Sequence, residues 1–221
     1  MKAAELQQWL SAHGQPVTPD GQIGPRTRTA LNAVFTNACV EAVTSEQIKQ
    51  LATRLGCTVK QLRAVAKVES GGSGFDKQGR PKILFERHVF HGLTNGVATP
   101  CSFSMQKGGG YDGDSWEKLG LAAAVNVAAA FASCSWGKFQ VLGRHWNTLQ
   151  YPSAVEMAYS TVTGEAAHYE MLARYIEANR LLGALRALSS DPATNRGFAR
   201  AYNGPAFRTF AYDTKLADAM A

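Results

Sequence analysis

Two glutamates stand where acid–base chemistry could be built. From Thr58 onward Val59, Leu62, Val65 and Ala66 recur at steps of three and four, so the apolar stripe of a helix runs on to position 69, which is Glu. A carboxylate on that stripe is costly unless it is neutral, paired or functional. Ser70-Gly71-Gly72 ends the helix and leaves Glu69 in the last turn, beside unpaired carbonyls and the negative end of the macrodipole. Burial and dipole both raise its pKa, and a rise from about 4.3 to roughly 6 keeps a useful fraction protonated near neutral pH, as a general acid requires. Taken alone, Glu-Ser-Gly at a helix end is also compatible with a side chain that swings into solvent.

Ile83 to Phe90 alternates as a strand entered through Gly79-Arg80-Pro81, with Leu84, Glu86, His88 and Phe90 on one side. Glu86 then shares a face with apolar groups. Two carboxylates in unlike surroundings suit cleavage of a glycosidic bond: one donates to the leaving oxygen, and the other activates water or stabilises the oxocarbenium ion. A structural ion pair to Arg87 or a nearby base is the competing reading. Downstream, Ser135-Trp136-Gly137-Lys138-Phe139-Gln140 closes an Ala-rich helix, and Tyr202-Asn203-Gly204-Pro205 closes a helix begun at Asp191-Pro192. Both motifs place amides and aromatic faces at helix ends, where sugars can be bound, although core aromatics beside turn residues read the same way. Glu165 opens a helix after Gly164, with Tyr169, Leu172 and Ile176 at compatible spacing, in a structural or substrate-facing position.

Other chemistries fit less well. Ser133-Cys134-Ser135-Trp136 sets a thiol before an aromatic, but the spacing is wrong for a cysteine peptidase, and nothing ties His145 or His168 to it. Cys39, Cys57, Cys101 and Cys134 stand far apart without a CxxC pair and are expected as free buried thiols. His88 and His91 form the only close histidine pair and no HExxH occurs, so neither metal nor cofactor is expected.

The elements that must hold these residues come from a 221-residue chain, long enough for a full domain and a small satellite. Apolar residues at 45% and charged residues at 18% imply a folded protein. The net charge of +6 favours an anionic partner. No run of five Lys or Arg occurs, so no nucleic-acid partner is expected. Leu119 to Ala132 is the longest apolar stretch and is too short to span a bilayer, so it reads as a core helix and no stable membrane insertion is expected. The amino terminus has no apolar signal region, and the chain is expected to stay in the cytoplasm where it is made. Residues around Leu6-Gln7-Gln8-Trp9-Leu10 and from Thr27 to Phe35 form a helix, loop, helix unit, turned at Asp20-Gly21 and re-entered at Gly24-Pro25. Helical periodicity lapses from Thr36 to Val43, which places a boundary near residue 42, and capping boxes at Thr44 to Gln47 and Thr58 to Gln61 open the next two helices.

The first segment resembles the peptidoglycan-binding modules of cell-wall hydrolases, through Leu6-Gln7, Asp20-Gly21-Gln22-Ile23-Gly24-Pro25-Arg26-Thr27 and Ala30-Leu31. That likeness implies wall binding by residues 1–42, with Trp9, Asp20, Arg26 and Thr27 as contacts. From about residue 45 onward, four motifs resemble in order the phage N-acetylmuramidase family of endolysins. They are Ala64-Val65-Ala66-Lys67-Val68-Glu69-Ser70-Gly71-Gly72, Gly79-Arg80-Pro81-Lys82-Ile83-Leu84-Phe85-Glu86-Arg87-His88, Ser135 to Gln140 and Ala201-Tyr202-Asn203-Gly204-Pro205. The resemblance implies a mainly α, lysozyme-like catalytic domain over residues 43–221 with a short β element, preceded by the small helical module. It implies hydrolysis of the β-1,4 bond between N-acetylmuramic acid and N-acetylglucosamine, with Glu69 as proton donor. Glu86, read from its own surroundings, is the expected partner across a cleft, and Ser70, Ser135, Trp136, Gly137, Gln140, Glu165, Tyr202 and Asn203 are the expected substrate contacts. The expected partner is bacterial peptidoglycan, met by a monomer that a separate permeabilising protein releases from the host cytoplasm to the periplasm or wall. The Glu-Ser, Gly-x-x-Gln and Tyr-Asn-Gly elements are similar to those of goose-type lysozymes and lytic transglycosylases as well. A transglycosylase using Glu69 alone therefore stays open, as does a non-catalytic wall-binding protein.

Overall fold

The computed structural model describes residues 1–96 and 103–221, so Cys101 lies outside the described residues. In chain order the elements are α1 (Ala3–Ala12), α2 (Pro25–Val34), α3 (Ser45–Leu55), α4 (Val59–Glu69), β1 (Ile83–Phe85), α5 (Arg87–Leu93), α6 (Ser115–Val125), α7 (Val127–Ala132), β2 (Cys134–Trp136), β3 (Val141–Leu142), α8 (Ala154–Ser160), α9 (Glu165–Ala178), α10 (Leu182–Arg186), α11 (Pro192–Asn203) and α12 (Tyr212–Met220). The fold is mainly helical, as expected, with one small antiparallel sheet in the order β1-β2-β3. The chain divides into two compact units, Met1–Val40 with Phe75–Thr163, and Glu41–Gly74 with Gly164–Ala221.

In the first unit the amino-terminal hairpin is tied by one buried amide. Gln7 is 1% exposed; its Nε2 donates to Asp20 Oδ1 at 2.7 Å, to the Gln22 carbonyl at 3.0 Å and to Thr27 Oγ1 at 3.2 Å, while its Oε1 accepts from the Gly21 N–H at 2.8 Å. A buried polar group so fully bonded fixes the turn between the helices, which is why Leu-Gln and Asp-Gly-x-x-Gly-x-x-Thr occur together. Gly24 and Pro25 start α2 as the sequence predicts. Phe35, fully buried at its end, packs on Trp116, Phe131 and Trp136, so the hairpin shares an aromatic core with the helices that follow the sheet.

Three local readings are corrected. The strand from Ile83 stops at Phe85, which pairs with Cys134, the first residue of β2, and a helix begins at Arg87. Glu86 is the N-cap of that helix, and its N–H donates to the Ser133 carbonyl at 2.8 Å. Phe85, not Leu84, is the buried residue of β1, and Phe90 reaches the same core from the helix, so Glu86 does not share a strand face with apolar groups. The Ala-rich stretch is two helices, because Asn126 turns to φ −157° and its side chain accepts from the Ala129 N–H at 3.0 Å, capping α7. Ser135 to Gln140 is strand and tight turn rather than a helix end, with Gly137 and Gln140 at positive φ.

In the second unit both predicted capping boxes are present: Thr44 and Thr58 accept from the N–H groups of Gln47 and Gln61, and those glutamines bond back. Gln61, 8% exposed, also donates to the carbonyls of Arg186 and Leu188, binding α4 to the segment after α10. Arg54 bridges Glu170 and Glu177 from α3 to α9. The helix α12 packs on both α4 and α11, so it is positioned beside the end of the helix that carries Glu69.

Candidate active site

Glu69 is the last residue of α4, half-buried, with Ser70 already extended. Its Oε1 accepts from Asn203 Nδ2 at 2.8 Å. Asn203 ends α11, and Gly204 at φ 78° takes the chain out of the helix at once. Burial pushes the Glu69 carboxyl up from 4.5 to about 7, against the opposing pull of the Asn203 hydrogen bond and the Lys215 charge. The direction is the one expected from the sequence. Asp191 caps α11 and Pro192 opens it, as predicted.

Tyr202 stacks on Phe198 at 5.6 Å and meets Tyr175 edge-on at 5.3 Å. Burial, then the Glu69 charge, pushes its phenol well up, and the same two causes raise Tyr212. Lys215 Nζ sits 5.3 Å from the Tyr212 ring centre. Amide, phenols and ammonium are thus gathered around one acid. Tyr212 and Lys215 were missed by sequence reasoning; they stand three apart on α12, which lies in no motif, and that spacing on one helix face was the available signal. Glu165 opens α9, where its charge acts on the Tyr169 phenol one turn on.

The first unit holds the other carboxylate. Tyr111 Oη donates to Glu86 Oε2 at 2.9 Å, and His88 Nδ1 stands 3.4 Å from the same oxygen. Of the ion-pair partners considered from sequence, Arg87 turns away and donates to the carbonyls of Lys107 and Gly108, while His88 is the nearby base that stands at Glu86. Tyr111 was missed because it comes from a Gly-rich segment without periodicity. Trp136 is 1% exposed with its indole N–H bonded to the Phe131 carbonyl, and it stacks on Phe131. Ser135 is 8% exposed. Gln140 Nε2 donates to the Gly137 carbonyl at 2.8 Å and the Lys82 carbonyl at 3.3 Å, closing the turn between β2 and β3. Cys134 is buried, which with the Glu86 charge raises its thiol pKa well above normal and removes the thiolate a peptidase would need. Cys39 is exposed and Cys57 half-buried, so the expectation of buried thiols holds for Cys134 only among the described cysteines.

Asp20, Arg26 and Thr27 line one groove of about 550 Å³ on the hairpin, together with Gln7, Gln15 and Pro16. Trp9 is used otherwise: its indole N–H donates to Glu156 at 2.8 Å, and its ring stacks on His13 and meets Tyr159 edge-on. Among the described residues no three His, Cys, Asp or Glu gather as a cation site would need, and no helix is long and apolar enough to cross a membrane.

Comparison with known proteins extends these observations. The N-acetylmuramidase family model matches residues 58–221, and a predicted peptidoglycan domain model matches residues 3–66. The fold is similar to the crystal structure of the Burkholderia AP3 phage endolysin, at 30% identity and a TM-score of 0.75 over 99% of this chain and 92% of that one. No curated protein matches the chain.

Proposed function

The chain belongs to the N-acetylmuramidase family of glycoside hydrolases, and on that premise we propose that it is a phage endolysin that cleaves the β-1,4 bond between N-acetylmuramic acid and N-acetylglucosamine with Glu69 as general acid. The observation that carries this is the half-buried carboxyl at the end of α4, raised to about 7 and held by Asn203. A carboxyl protonated near neutral pH donates to the glycosidic oxygen as the C–O bond breaks, and the sugar leaves as a neutral alcohol. The carboxylate left behind keeps the Asn203 hydrogen bond and gains from the Lys215 charge, which lowers the cost of proton transfer.

For hydrolysis a second group must place water or stabilise the oxocarbenium ion, and Glu86 is proposed for it, supported by Tyr111 fixing one of its oxygens. Trp136, Ser135, Gly137 and Gln140 serve by holding the hairpin onto which Glu86 is tied through Ser133. Tyr202, Ser70 and Glu165 are proposed as substrate-facing. One observation favours a second reading: within its own unit Glu69 is attended by the Asn203 amide, the Tyr202 and Tyr212 phenols and the Lys215 ammonium. A lytic transglycosylase needs only that, since a muramic acid hydroxyl attacks the anomeric carbon, gives its proton to the Glu69 carboxylate and leaves an anhydro sugar.

Residues 1–42 are proposed to hold the wall through the groove of Asp20, Arg26 and Thr27, supported by the peptidoglycan domain match. A monomer released to the wall by a separate permeabilising protein completes the reading. Mass spectrometry of muropeptides from purified peptidoglycan tests it: reducing N-acetylmuramic acid ends are expected, anhydro ends transfer the assignment to the transglycosylase, and release of free peptides alone refutes both.

A further inference from the structure

The aromatic surface that a glycan needs is not where the sequence motif put it. Trp136 is 1% exposed and cannot meet a ligand. Among the described residues the exposed large aromatic side chains are Tyr111 and Phe210, and the Phe210 ring meets Tyr212 in the other unit. Tyr111 is 50% exposed and stands at a carboxylate. Its hydroxyl donates to Glu86 Oε2 at 2.9 Å, and His88 Nδ1 lies 3.4 Å from the same oxygen. Oε1 of Glu86 takes no hydrogen bond among the described residues. Burial of the Tyr111 phenol, and then its bond to Glu86, raise its pKa above the usual value, so it keeps its proton at neutral pH and serves as the donor.

The segment that carries Tyr111 is gripped from two sides. Arg87 donates to the carbonyls of Lys107 and Gly108 at 3.1 and 3.0 Å, and Lys118 Nζ donates to that of Gly110 at 2.8 Å and to that of Asp112. Gly109, Gly110 and Gly113 stand at positive φ, and a Cβ at Gly110 would come within 2.6 Å of the Arg87 guanidinium. Glycine is what lets the cation approach the chain so closely. The three residues before Tyr111, Gly108 to Gly110, carry no side chain, which leaves room for a ligand to lie along the ring.

On the reading that Glu86 is the second carboxylate of the glycosidase, we propose that Tyr111 is a substrate-binding residue of that site. Its ring stacks on the apolar C–H face of a sugar in the glycan strand. Its hydroxyl holds Oε2 of Glu86, which leaves Oε1 to act on the water or on the oxocarbenium ion.

Substitution in the full chain separates the ring from the hydroxyl. Affinity is read by calorimetry with soluble, peptide-free glycan strands on a Glu69→Gln background, where cleavage does not interfere. There Tyr111→Ala and Tyr111→Leu should each weaken binding about tenfold, and Tyr111→Phe should stay within twofold. Rates are read with Glu69 intact: Tyr111→Phe should lower kcat about tenfold with KM within twofold, because only the bond to Glu86 is lost. Unchanged binding in Tyr111→Ala and Tyr111→Leu, or an equal loss in Tyr111→Phe, would overturn the stacking role. A wild-type kcat in Tyr111→Phe would overturn the positioning of Glu86. Glu86→Gln tests the underlying reading by itself. If that variant keeps the wild-type rate, Glu86 is no catalytic carboxylate and the positioning role falls with it, whereas the affinities still decide whether the ring binds glycan. Circular dichroism on each variant separates loss of the site from loss of the fold.

Discussion

At Glu69 the catalysis proposed for it and the stability of the fold pull against each other. Burial raises its folded-state pKa from 4.5 to about 7, so between those values the folded chain keeps a proton that the unfolded chain has released. Stability therefore falls as pH rises through that window, and the loss is complete above it, on the order of 3 kcal/mol at most. Glu69→Gln removes the titration. It should abolish wall degradation, by about 100-fold to 10,000-fold, yet be more stable than wild type at pH 8 and little different at pH 4; urea melts at the two pH values check this. Equal pH dependence of stability in both proteins would mean the carboxyl is solvated and the mechanism misplaced. Asn203→Ala removes a donor that favours the charged form, so the alkaline limb of the activity profile should move to higher pH while the rate falls, read from kcat/KM against pH on soluble glycan fragments. A purely structural role for Asn203 would lower the rate without moving the limb.

Among the elements, α4 and α11 were the most legible because their ends carry chemistry of their own: Thr58 with Gln61, Asp191 with Pro192, and Gly204 after Asn203. Helix caps are local, and so are the residues that make them. What the sequence hid is what tertiary contact decides. Residues 83–90 alternate as a strand would, but the strand lasts only while β2 is alongside, and past Cys134 no partner strand continues in the sheet. Asn126 could have been a surface residue of one helix; its extended backbone and side-chain cap make it the break between two. Trp136 reads as a sugar platform in a motif and proves to be core, because three other aromatics close around it. Tyr111 and Lys215, from segments without motifs, join the carboxylates only through folding. A cap that matters to one element should show itself there: Thr58→Ala should cost about 1 kcal/mol in chemical denaturation, with activity per folded molecule unchanged.

On the scale of the whole molecule the amino-terminal hairpin has a structural part beside the wall binding proposed for it. Within its unit Phe35 is fully buried against Trp116, Phe131 and Trp136, and Trp9 binds Glu156 and packs on Tyr159. The division near residue 42 follows the lapse of helical periodicity along the chain, while the compact units place the hairpin with residues 75–163. The two functions assigned to the hairpin are separable by mutation. Arg26 is exposed in the groove and carries no core contact in the described structure; Arg26→Ala should reduce co-sedimentation with purified sacculi while leaving the melting temperature and the hydrolysis of soluble fragments unchanged. Phe35→Ala should do the reverse, with a loss of about 3–5 kcal/mol from the cavity left among the aromatics and wall affinity kept in whatever fraction stays folded. Removing residues 1–42 altogether should combine both effects and yield a chain that aggregates or binds a hydrophobic dye, since it uncovers the apolar faces Phe35 and Trp9 now protect. A truncated chain that melts cooperatively at the wild-type temperature would show instead that residues 43–221 fold without the hairpin and that its place is recognition alone.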